Sequence, residues 1–409
     1  MRSIFFGLSA VISTAVAAQI TVTTGPGNQQ QSFFNLLNET ATTRALAEWD
    51  LAFEINGGFS AGVLVNTARG TKVYQSPFAI GDWASLDTNE LAASWPELQN
   101  SDTSWSWGAL NQGISGEFDL GWGIYNMITH VVAGDSIQVL KTAGGAWKKL
   151  RIDALAGGIY SFTYADLDGS AQHSGSIVKG DYAGKNFAYW SFDTNAAVDR
   201  EPLSADWDLL FTKYITNVGI WYGVTGVLQN KGVAVVRVAG VPPAEATDPF
   251  STAFDPYINT IGYDWKSFDM GTFTYVIDDS LTYFVKDVPG NVWKIVFTAY
   301  GGSSTGDISF TKDLISAAAI DDRANMAQVF AIHPNPVLGG AARFVVDVPA
   351  SGAVLSILDV NGRMVKEEAF AGGTGFTAIT IDLSGTTPGM YNALLRSGTS
   401  ISTAKFIVE

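Results

Sequence analysis

A short motif that occurs twice constrains the fold of this chain more than any other feature. Its longer copy, DWDLLFTKY, runs from Asp206 to Tyr214, and its shorter copy, EWDLAFEI, runs from Glu48 to Ile55. Trp, Leu and Phe alternate with other residues in both copies. This predicts a strand with one aromatic-rich buried face and the second Asp on the opposite face. Two such strands about 160 residues apart indicate a duplicated β-rich unit.

Further short matches follow each copy in the same order and support a tandem duplication. They are GVLVN at 62–66 with GVLQN at 226–230, IGDW at 80–83 with IGYDW at 261–265, and Trp147-Lys148 with Trp293-Lys294. The first copy carries a long insertion between Trp83 and Trp147, and the second carries a proline-rich loop at 241–256. We therefore predict a first half over residues 19–175 and a second half over residues 176–315.

The composition favours many short strands and excludes some partners. Hydrophobic residues make up 47% of the chain and charged residues only 15%, and there are 43 glycines. The net charge of −15, with no Lys/Arg stripe to offset it, repels phosphate backbones, so we expect no nucleic-acid partner. The absence of cysteine from the sequence excludes disulfides and thiolate metal sites.

The first 18 residues have the features of a secretory signal peptide. A short basic start is followed by an apolar stretch from Ile4 to Thr14 and by the small residues at 15–18. No cysteine follows the apolar stretch, so a lipid-modified signal is excluded. No later segment approaches ~20 consecutive apolar residues, so we expect no transmembrane segment. The chain is therefore predicted to be exported.

The last part of the chain differs in character from the rest. Residues 316–330 are alanine-rich and are predicted to form a linker. Residues 331–409 are predicted to form a small Ig-like β-sandwich. Its predicted strands are Ala342–Val348, Gly352–Asp359, Thr377–Leu383, Gly389–Arg396 and Thr403–Val408.

Four segments of this tail carry a family resemblance. They are Pro334-Asn335-Pro336, Leu358–Arg363, Pro388–Tyr391 and Lys405–Val408. In order, spacing and C-terminal position they resemble the type A C-terminal sorting domain of the type IX secretion system of Bacteroidetes. The resemblance implies the type IX machinery as a partner, passage through the outer membrane, and then attachment to the cell surface or release.

The body resembles the HmuY-type haem-binding family. The resemblance rests on Asp206–Phe211, on Asp199–Pro202, and on Tyr283–Lys286 leading to Trp293–Phe297. It implies an all-β body that binds haem between two axial side chains, commonly His or Met. The sequence departs from the family pattern because the Trp-Asp unit is duplicated, no lipidated Cys is present, and no His follows Trp207 within the body.

Haem requires a nitrogen or sulfur axial donor in an apolar slot. The body offers four candidates: Met127, His130, His173 and Met270. Met127 and His130 are three residues apart, so on a strand they would point to opposite faces, whereas on a loop both could bind one iron. The alternative for each is an ordinary structural role, as a core methionine or as a solvated or turn histidine.

The sequence gives little support to enzyme chemistry. Asp206 and Asp208 would lie about 7 Å apart on a strand, but the duplication of the motif favours a role at a solvated edge or as turn caps. The segment from Asp166 to Ser170 is predicted to be a β-turn, because it lacks the downstream Glu of a calcium loop. No nucleophile elbow, zinc-type His pair or phosphate loop is present in the sequence. We therefore expect a non-enzymatic protein.

The tryptophans suggest a further kind of site, because exposed indole rings bind sugars and flat ligands. Candidates for exposure are Trp83, Trp105, Trp107, Trp190, Trp221 and Trp265, with the Ser104–Trp107 segment favoured; Trp49, Trp147, Trp207 and Trp293 are expected in the core. Two hypotheses remain open. One is an exported binding protein for haem or another flat ligand, and the other is a structural, adhesive or glycan-binding surface protein without a haem site.

Overall fold

The computed structural model describes residues 18–56, 60–247, 249, 252–317, 328–348, 352–360, 362–370, 375–397 and 400–409. The chain divides into two compact units, Met1–Ala317 and Ala318–Glu409, which we call the body and the tail. All of the predicted signal peptide except residue 18 lies outside the described residues, and so do residues 318–327 of the predicted linker.

Short strands build the body, with single-turn helices between them. The strands are β1 (Gln19–Thr23), β2 (Gln30–Asn35), β3 (Thr40–Ala45), β4 (Leu51–Glu54), β5 (Val63–Val65), β6 (Lys72–Ala79), β7 (Glu97–Leu98), β8 (Gly123–Asn126), β9 (Val131–Gly134), β10 (Ser136–Lys141), β11 (Trp147–Ala156), β12 (Ile159–Asp166), β13 (His173–Val178), β14 (Phe187–Ser191), β15 (Ala196–Val198), β16 (Leu209–Asn217), β17 (Trp221–Gln229), β18 (Ala234–Ala239), β19 (Lys266–Asp269), β20 (Thr274–Ile277), β21 (Leu281–Lys286), β22 (Val292–Tyr300) and β23 (Asp307–Ser316). The 3₁₀ helices are Pro26–Asn28, Leu46–Glu48, Thr67–Arg69, Ile80–Ala84, Ala109–Asn111, Lys179–Tyr182 and Ser204–Asp206, and α1 is Gly302–Thr305. The predicted all-β class is confirmed.

The strands form two lobes, each with a core between two antiparallel sheets. In the first lobe the sheets have the orders β15-β14-β4-β5 and β13-β12-β11-β10-β6-β7. In the second lobe the orders are β3-β2-β16-β17 and β1-β23-β22-β21-β18. The first core contains Leu51, Phe53 and Phe162, and the second contains Phe34, Phe211 and Phe310. Apart from β7, which has no counterpart in the described second-lobe sheet, the strands follow one order in both lobes, as expected for a duplicated unit.

The first three strands of each predicted half of the sequence belong to the lobe formed mainly by the other half. β1, β2 and β3 precede the first lobe in the chain, yet β2 pairs with β16 and β1 pairs with β23 of the second lobe. In the same way β14 pairs with β4, and β13 pairs with β12, of the first lobe. Each lobe therefore contains strands from both sides of the boundary predicted at residues 175 and 176.

The tryptophan of each repeated motif lies on the face opposite to the predicted one. Leu51 and Phe53 point into the core of the first lobe, whereas Trp49 packs with Ala52 on the other face of β4. Strand pairing begins only at Leu51, and Trp49 follows a 3₁₀ turn, so the alternation does not extend back to the tryptophan. The second lobe repeats this division, with Trp207 and Leu210 on one face and Leu209 and Phe211 on the other. Both faces of each motif strand are buried.

The tail forms two sheets around one apolar core. Its strands are β24 (Gln328–His333), β25 (Ala341–Val348), β26 (Ala353–Asp359), β27 (Met364–Phe370), β28 (Gly375–Asp382), β29 (Gly389–Ser397) and β30 (Ser400–Val408), in the orders β24-β25-β28 and β27-β26-β29-β30. Phe344, Leu355, Leu395 and Phe406 are among the residues of the core. The predicted sandwich is present, and β24 and β27 are the strands that the sequence pattern missed.

Candidate ligand-binding site

Two of the four candidate haem ligands lie together in the turn that joins β8 to β9. Met127 is 61% exposed, and His130 has a left-handed backbone with φ of 57°. The Asn126 side chain fixes the turn by accepting hydrogen bonds from the backbone N–H groups of residues 128 and 129. The Tyr125 hydroxyl lies 2.7 Å from His130 Nδ1 and orients the ring. Met127 and His130 therefore lie in a loop and not on one strand.

Met270 occupies the equivalent turn of the second lobe, between β19 and β20. Asp269 accepts hydrogen bonds from the Gly271 backbone N–H and the Thr272 hydroxyl, whereas Asn126 of the first lobe accepts two backbone N–H groups. Phe273 has φ of 55° and takes the place of His130. Met270 is 71% exposed. The two turns are therefore equivalent, and the second repeats the methionine but not the histidine. The short sequence matches did not reveal that the turns are equivalent.

His173 lies apart from both turns. It pairs with Tyr164 across β12 and β13, and the two rings stack with their centroids 5.5 Å apart. Residue 164 is about 20 Å along the chain from the β11–β12 turn at Gly158, using the rise of ~3.3 Å per residue. The four candidates therefore occupy three separate places, and only Met127 and His130 are neighbours. Ligation of haem by any of them stays a prediction.

His130 contributes to a cleft of about 490 Å³ in the first lobe. Its walls are mostly apolar and aromatic, with polar groups at a few points. The residues that line it are Ser60, Ala61, Glu117, Phe118, Leu120, Tyr125, His130, Val132, Leu155, Gly157, Gly158 and Lys179. This size and this mixture of groups are typical of sites for organic ligands.

The polar groups of the cleft can orient a ligand. In the tautomer with the proton on Nδ1, His130 donates a hydrogen bond to the Tyr125 hydroxyl oxygen, and Nε2 presents its lone pair. Lys179 Nζ donates hydrogen bonds to the backbone oxygen and the hydroxyl of Ser60, at 2.5 and 2.9 Å. Burial lowers the pKa of Lys179, and the Glu54 carboxylate partly opposes that shift. The polar groups of the cleft therefore include one imidazole, one amine and the carboxylate of Glu117.

The cleft fits a single-histidine haem site better than a two-ligand site. Among the described residues that line the cleft, only His130 carries a nitrogen or sulfur donor of the type that haem iron takes. Met127 does not line the cleft. A bound haem would supply the iron chemistry, while His130 would hold the iron and Lys179 would neutralise a carboxylate. Within the described ranges, no three His, Cys, Asp or Glu side chains are grouped to hold a metal ion.

A second, narrower groove lies between the lobes. Its volume is about 80 Å³, and Phe33, Trp49, Trp105, Tyr189 and Trp207 are among its walls. The Trp105 indole N–H donates to the backbone oxygen of residue 229 at 2.7 Å, which ties the first-lobe insertion to the second lobe. Within the described part of the chain, the Trp207 indole N–H has no hydrogen-bond acceptor. The groove is too small for haem.

The exposed-tryptophan prediction is only partly met. Trp107 is 47% exposed and Trp221 is 45% exposed, but Trp105 and Trp83 are half-buried. Trp190 and Trp265 are buried, so their assignment to exposed platforms is wrong. Of the tryptophans expected in the core, Trp49, Trp207 and Trp293 are buried and Trp147 is half-buried. Trp265 stacks on Phe297 with 4.1 Å between the ring centroids, which explains its burial.

The second Asp of each motif is a buried anchor. Asp208 Oδ2 accepts the Leu36 backbone N–H at 2.7 Å, and Asp50 Oδ2 accepts the Phe192 backbone N–H at the same distance. Burial raises the pKa of Asp208 to about 6, opposed by the Leu36 N–H and reinforced by the charge of Asp287. Asp206 is exposed in a 3₁₀ helix, so the two carboxylates do not form the predicted strand pair. The expected solvated role is wrong for Asp208.

The raised pKa of Asp208 predicts that stability falls with rising pH. The folded chain holds this proton more tightly than the unfolded chain, whose Asp has a pKa near 3.8. The contribution is therefore complete below about pH 4 and is lost as the pH rises through about 6. The loss is on the order of 2–3 kcal/mol.

We expect Asp208→Asn to raise the urea midpoint relative to the unmodified protein at pH 8 but not at pH 4. Asp206→Asn, which changes an exposed carboxylate two residues away, is the matched control and should leave the pH profile unchanged. Equal profiles for both variants would show that Asp208 does not titrate in this range.

The body and the tail together define a two-lobed all-β protein that carries a separate C-terminal β-sandwich module. Residues 331–409 match the family model described as the secretion system C-terminal sorting domain. This match supports the type IX sorting tail and implies export to the cell surface or secretion. Among the described residues, no helix has the length and apolar character needed to cross a membrane. No curated protein matches the chain.

The chain is weakly similar to several solved structures, among them a secretion-system surface component and a domain of a biofilm-associated protein. One is PorZ of Porphyromonas gingivalis, described as an essential bacterial surface component of the type IX secretion system. It is 8% identical with a TM-score of 0.17, over 70% of this chain and 44% of PorZ. The other is described as the BSP domain of a biofilm-associated protein and is 10% identical with a TM-score of 0.17, over 99% of this chain and 83% of that one. These scores are too low to bear on function, and the HmuY-type resemblance stays a prediction.

Proposed function

We propose that the body is a non-enzymatic binding protein that takes a flat, largely apolar ligand in the first-lobe cleft. The observation that carries this proposal is the composition of the cleft. Phe118 and Tyr125 supply aromatic walls, His130 supplies an oriented imidazole, and Lys179 supplies a cation. The sorting tail supports a site of action at the cell surface or in the medium.

Haem is the first ligand to test, because the HmuY-type resemblance implies it and because the cleft contains an imidazole. His130 would be its protein ligand. Lys179 would pair with a carboxylate of the ligand, since an ammonium group in a partly buried site favours an anionic partner. Met127 is exposed in the turn that carries His130, where it is available only to a ligand that extends beyond the cleft, and Met270 is exposed in a turn of the second lobe.

A haemin titration followed by visible absorption in both oxidation states tests this proposal. We expect a saturable Soret shift that His130→Ala abolishes, because the variant removes the one imidazole among the described residues that line the cleft. His173→Ala is the matched control, since this histidine stacks on Tyr164 away from the cleft. Met127→Ala and Met270→Ala are expected to retain the shift. A shift that is lost in His173→Ala and kept in His130→Ala would place the ligand elsewhere.

The alternative function is adhesion without a haem site. The observation that favours it is the exposure of apolar side chains at both equivalent turns, where Ile128 is 91% exposed and Phe273 is 73% exposed. Absence of any Soret shift beyond that of a non-binding control protein would overturn the haem proposal and favour this function.

A further inference from the structure

The strand β17 lies at the edge of a second-lobe sheet and is covered along only part of its length. It is the last strand in the order β3-β2-β16-β17, and it pairs with β16 from Trp221 to Gln229 without a register shift. Towards its C-terminal end, the backbone N–H groups of residues 227 and 229 donate to the backbone oxygens of residues 262 and 258. This half of the outer edge is therefore occupied by the same chain.

The N-terminal half of the same edge is open. Alternate residues of a strand direct their backbone groups to the same side, so residues 221, 223 and 225 all face this edge. The Thr225 oxygen accepts a hydrogen bond from Lys266 Nζ at 2.6 Å. Within the described ranges, no hydrogen bond from another element reaches the outward N–H and C=O groups of Trp221 and Gly223. Both residues are exposed, and so is Tyr222 between them, so these four backbone groups face solvent.

The open half of β17 lacks the features that normally protect an edge strand. Natural edge strands carry charged side chains, proline or a bulge, which prevent pairing with another chain. The segment Trp221–Thr225 contains neither a charged residue nor proline, and its pairing with β16 has no bulge. A Cβ built on Gly223 would have only the Ile215 and Lys213 side chains of β16 within 4 Å, so no other described element lies over that position. The edge is therefore accessible to an additional strand.

The free groups of this edge complement those of a second β17. In an antiparallel pair with Trp221 opposite Gly223 of the other copy, each of these residues exchanges an N–H and a C=O with its partner. Twofold symmetry repeats the exchange, so every free group of Trp221 and Gly223 on both edges is used. Tyr222 then lies opposite its own copy, where two aromatic side chains contact each other across the strands.

We infer that two copies of this chain form a twofold dimer in which the open edges of β17 pair and join the two second-lobe sheets. The partner is a second copy because one register satisfies all the free groups of both edges. Charge also permits it: the segment from Tyr214 to Gly226 contains no charged residue, although the net charge of the chain is −15. Pairing removes from water Trp221 and Tyr222, which are 45% and 58% exposed. The dimer does not depend on a ligand in the first-lobe cleft.

Cysteine cross-linking tests the register with the full chain, which contains no cysteine of its own. In the inferred pair the two Cα atoms of residue 222 lie about 4.5 Å apart, which is within the range of a disulfide. Tyr222→Cys should therefore form a covalent dimer on mild oxidation several-fold faster than Tyr257→Cys. Tyr257 is the matched control, because it is also 58% exposed and lies outside β17. Equal rates for the two variants would overturn the inference.

Sedimentation equilibrium tests the dimer without a cross-link. The mass of the unmodified protein should rise from one chain to two as its concentration increases. Tyr222→Glu places two carboxylates opposite each other and should keep the chain monomeric, whereas Tyr257→Glu should leave the dimer unchanged. Near-UV circular dichroism shows whether each variant is folded, and the cross-linking rates decide if Tyr222→Glu is not. A protein that is monomeric at every concentration, or a dimer that a folded Tyr222→Glu does not weaken, would overturn the inference.

Discussion

Replacing Phe34 with Ala is expected to lower the free energy of unfolding of the body by about 3–5 kcal/mol. The side chain is 1% exposed, and its ring makes edge contacts with Phe211 and Phe310 at centroid distances of 6.1 and 5.5 Å. The phenyl group comes from the N-terminal segment, while both rings that it contacts belong to the second lobe. Its removal leaves a cavity and also weakens the attachment of β1–β3.

Urea unfolding followed by tryptophan fluorescence measures this loss. Phe273→Ala is the matched control, because it makes the same substitution at a side chain that is 73% exposed. The control should change the free energy of unfolding by less than about 0.5 kcal/mol. Similar midpoints for the two variants would contradict the placement of Phe34 in the core.

Replacing Arg200 with Met is expected to cost about 3 kcal/mol, because it removes a buried cation that joins β1–β3 to the first lobe. The guanidinium donates to Gln31 Oε1 at 2.8 Å, to the Ala45 backbone oxygen at 3.0 Å and to Glu48 Oε2 at 3.3 Å. It also lies over the Tyr189 ring, 5.1 Å from its centroid. Methionine keeps much of the apolar stem but removes all three of these donated bonds, and Gln31 Oε1 keeps only the Trp49 indole N–H.

The matched control is Arg237→Met, since Arg237 pairs with Asp264 at 2.8 Å, where each side chain is at least about a third exposed. Exposed pairs contribute roughly 0–1 kcal/mol, so this variant should unfold close to the unmodified protein. If Arg237→Met were as destabilising as Arg200→Met, the buried network around Arg200 would not account for the stability of the junction between the lobes.

Local sequence patterns predicted most of the strands, and their limits are informative. The five tail strands predicted from alternation and turn residues are present, and β24 and β27 were missed. The motif strands were predicted, but the face of Trp49 was wrong. Alternation gives the correct face only where a residue is within the paired strand, and Trp49 precedes it.

The candidate site shows a different limit. The sequence singled out Met127 and His130 by residue type, and the β8–β9 turn brings them together, although of the two only His130 lines the cleft. The sequence could not show that Met270 and His173 lie apart from this pair, because their separation depends on which lobe and which strand end each occupies. The cleft residues Phe118, Leu155 and Lys179 had no local signal, since they come from three distant segments.

The sequence by itself determined the all-β class, the duplicated motif and the sorting tail, because period-two hydrophobic patterns, turn residues and family motifs are local properties. Only the tertiary structure decided which lobe receives β1–β3 and which receives β13–β15. Both lobes present the same hydrogen-bonding edge around Asp50 and Asp208, so the choice depends on the distance that the connecting turns can span and on the fit of side chains such as Phe34 and Gln31. These are properties of the packed molecule, and no short stretch of the sequence contains them.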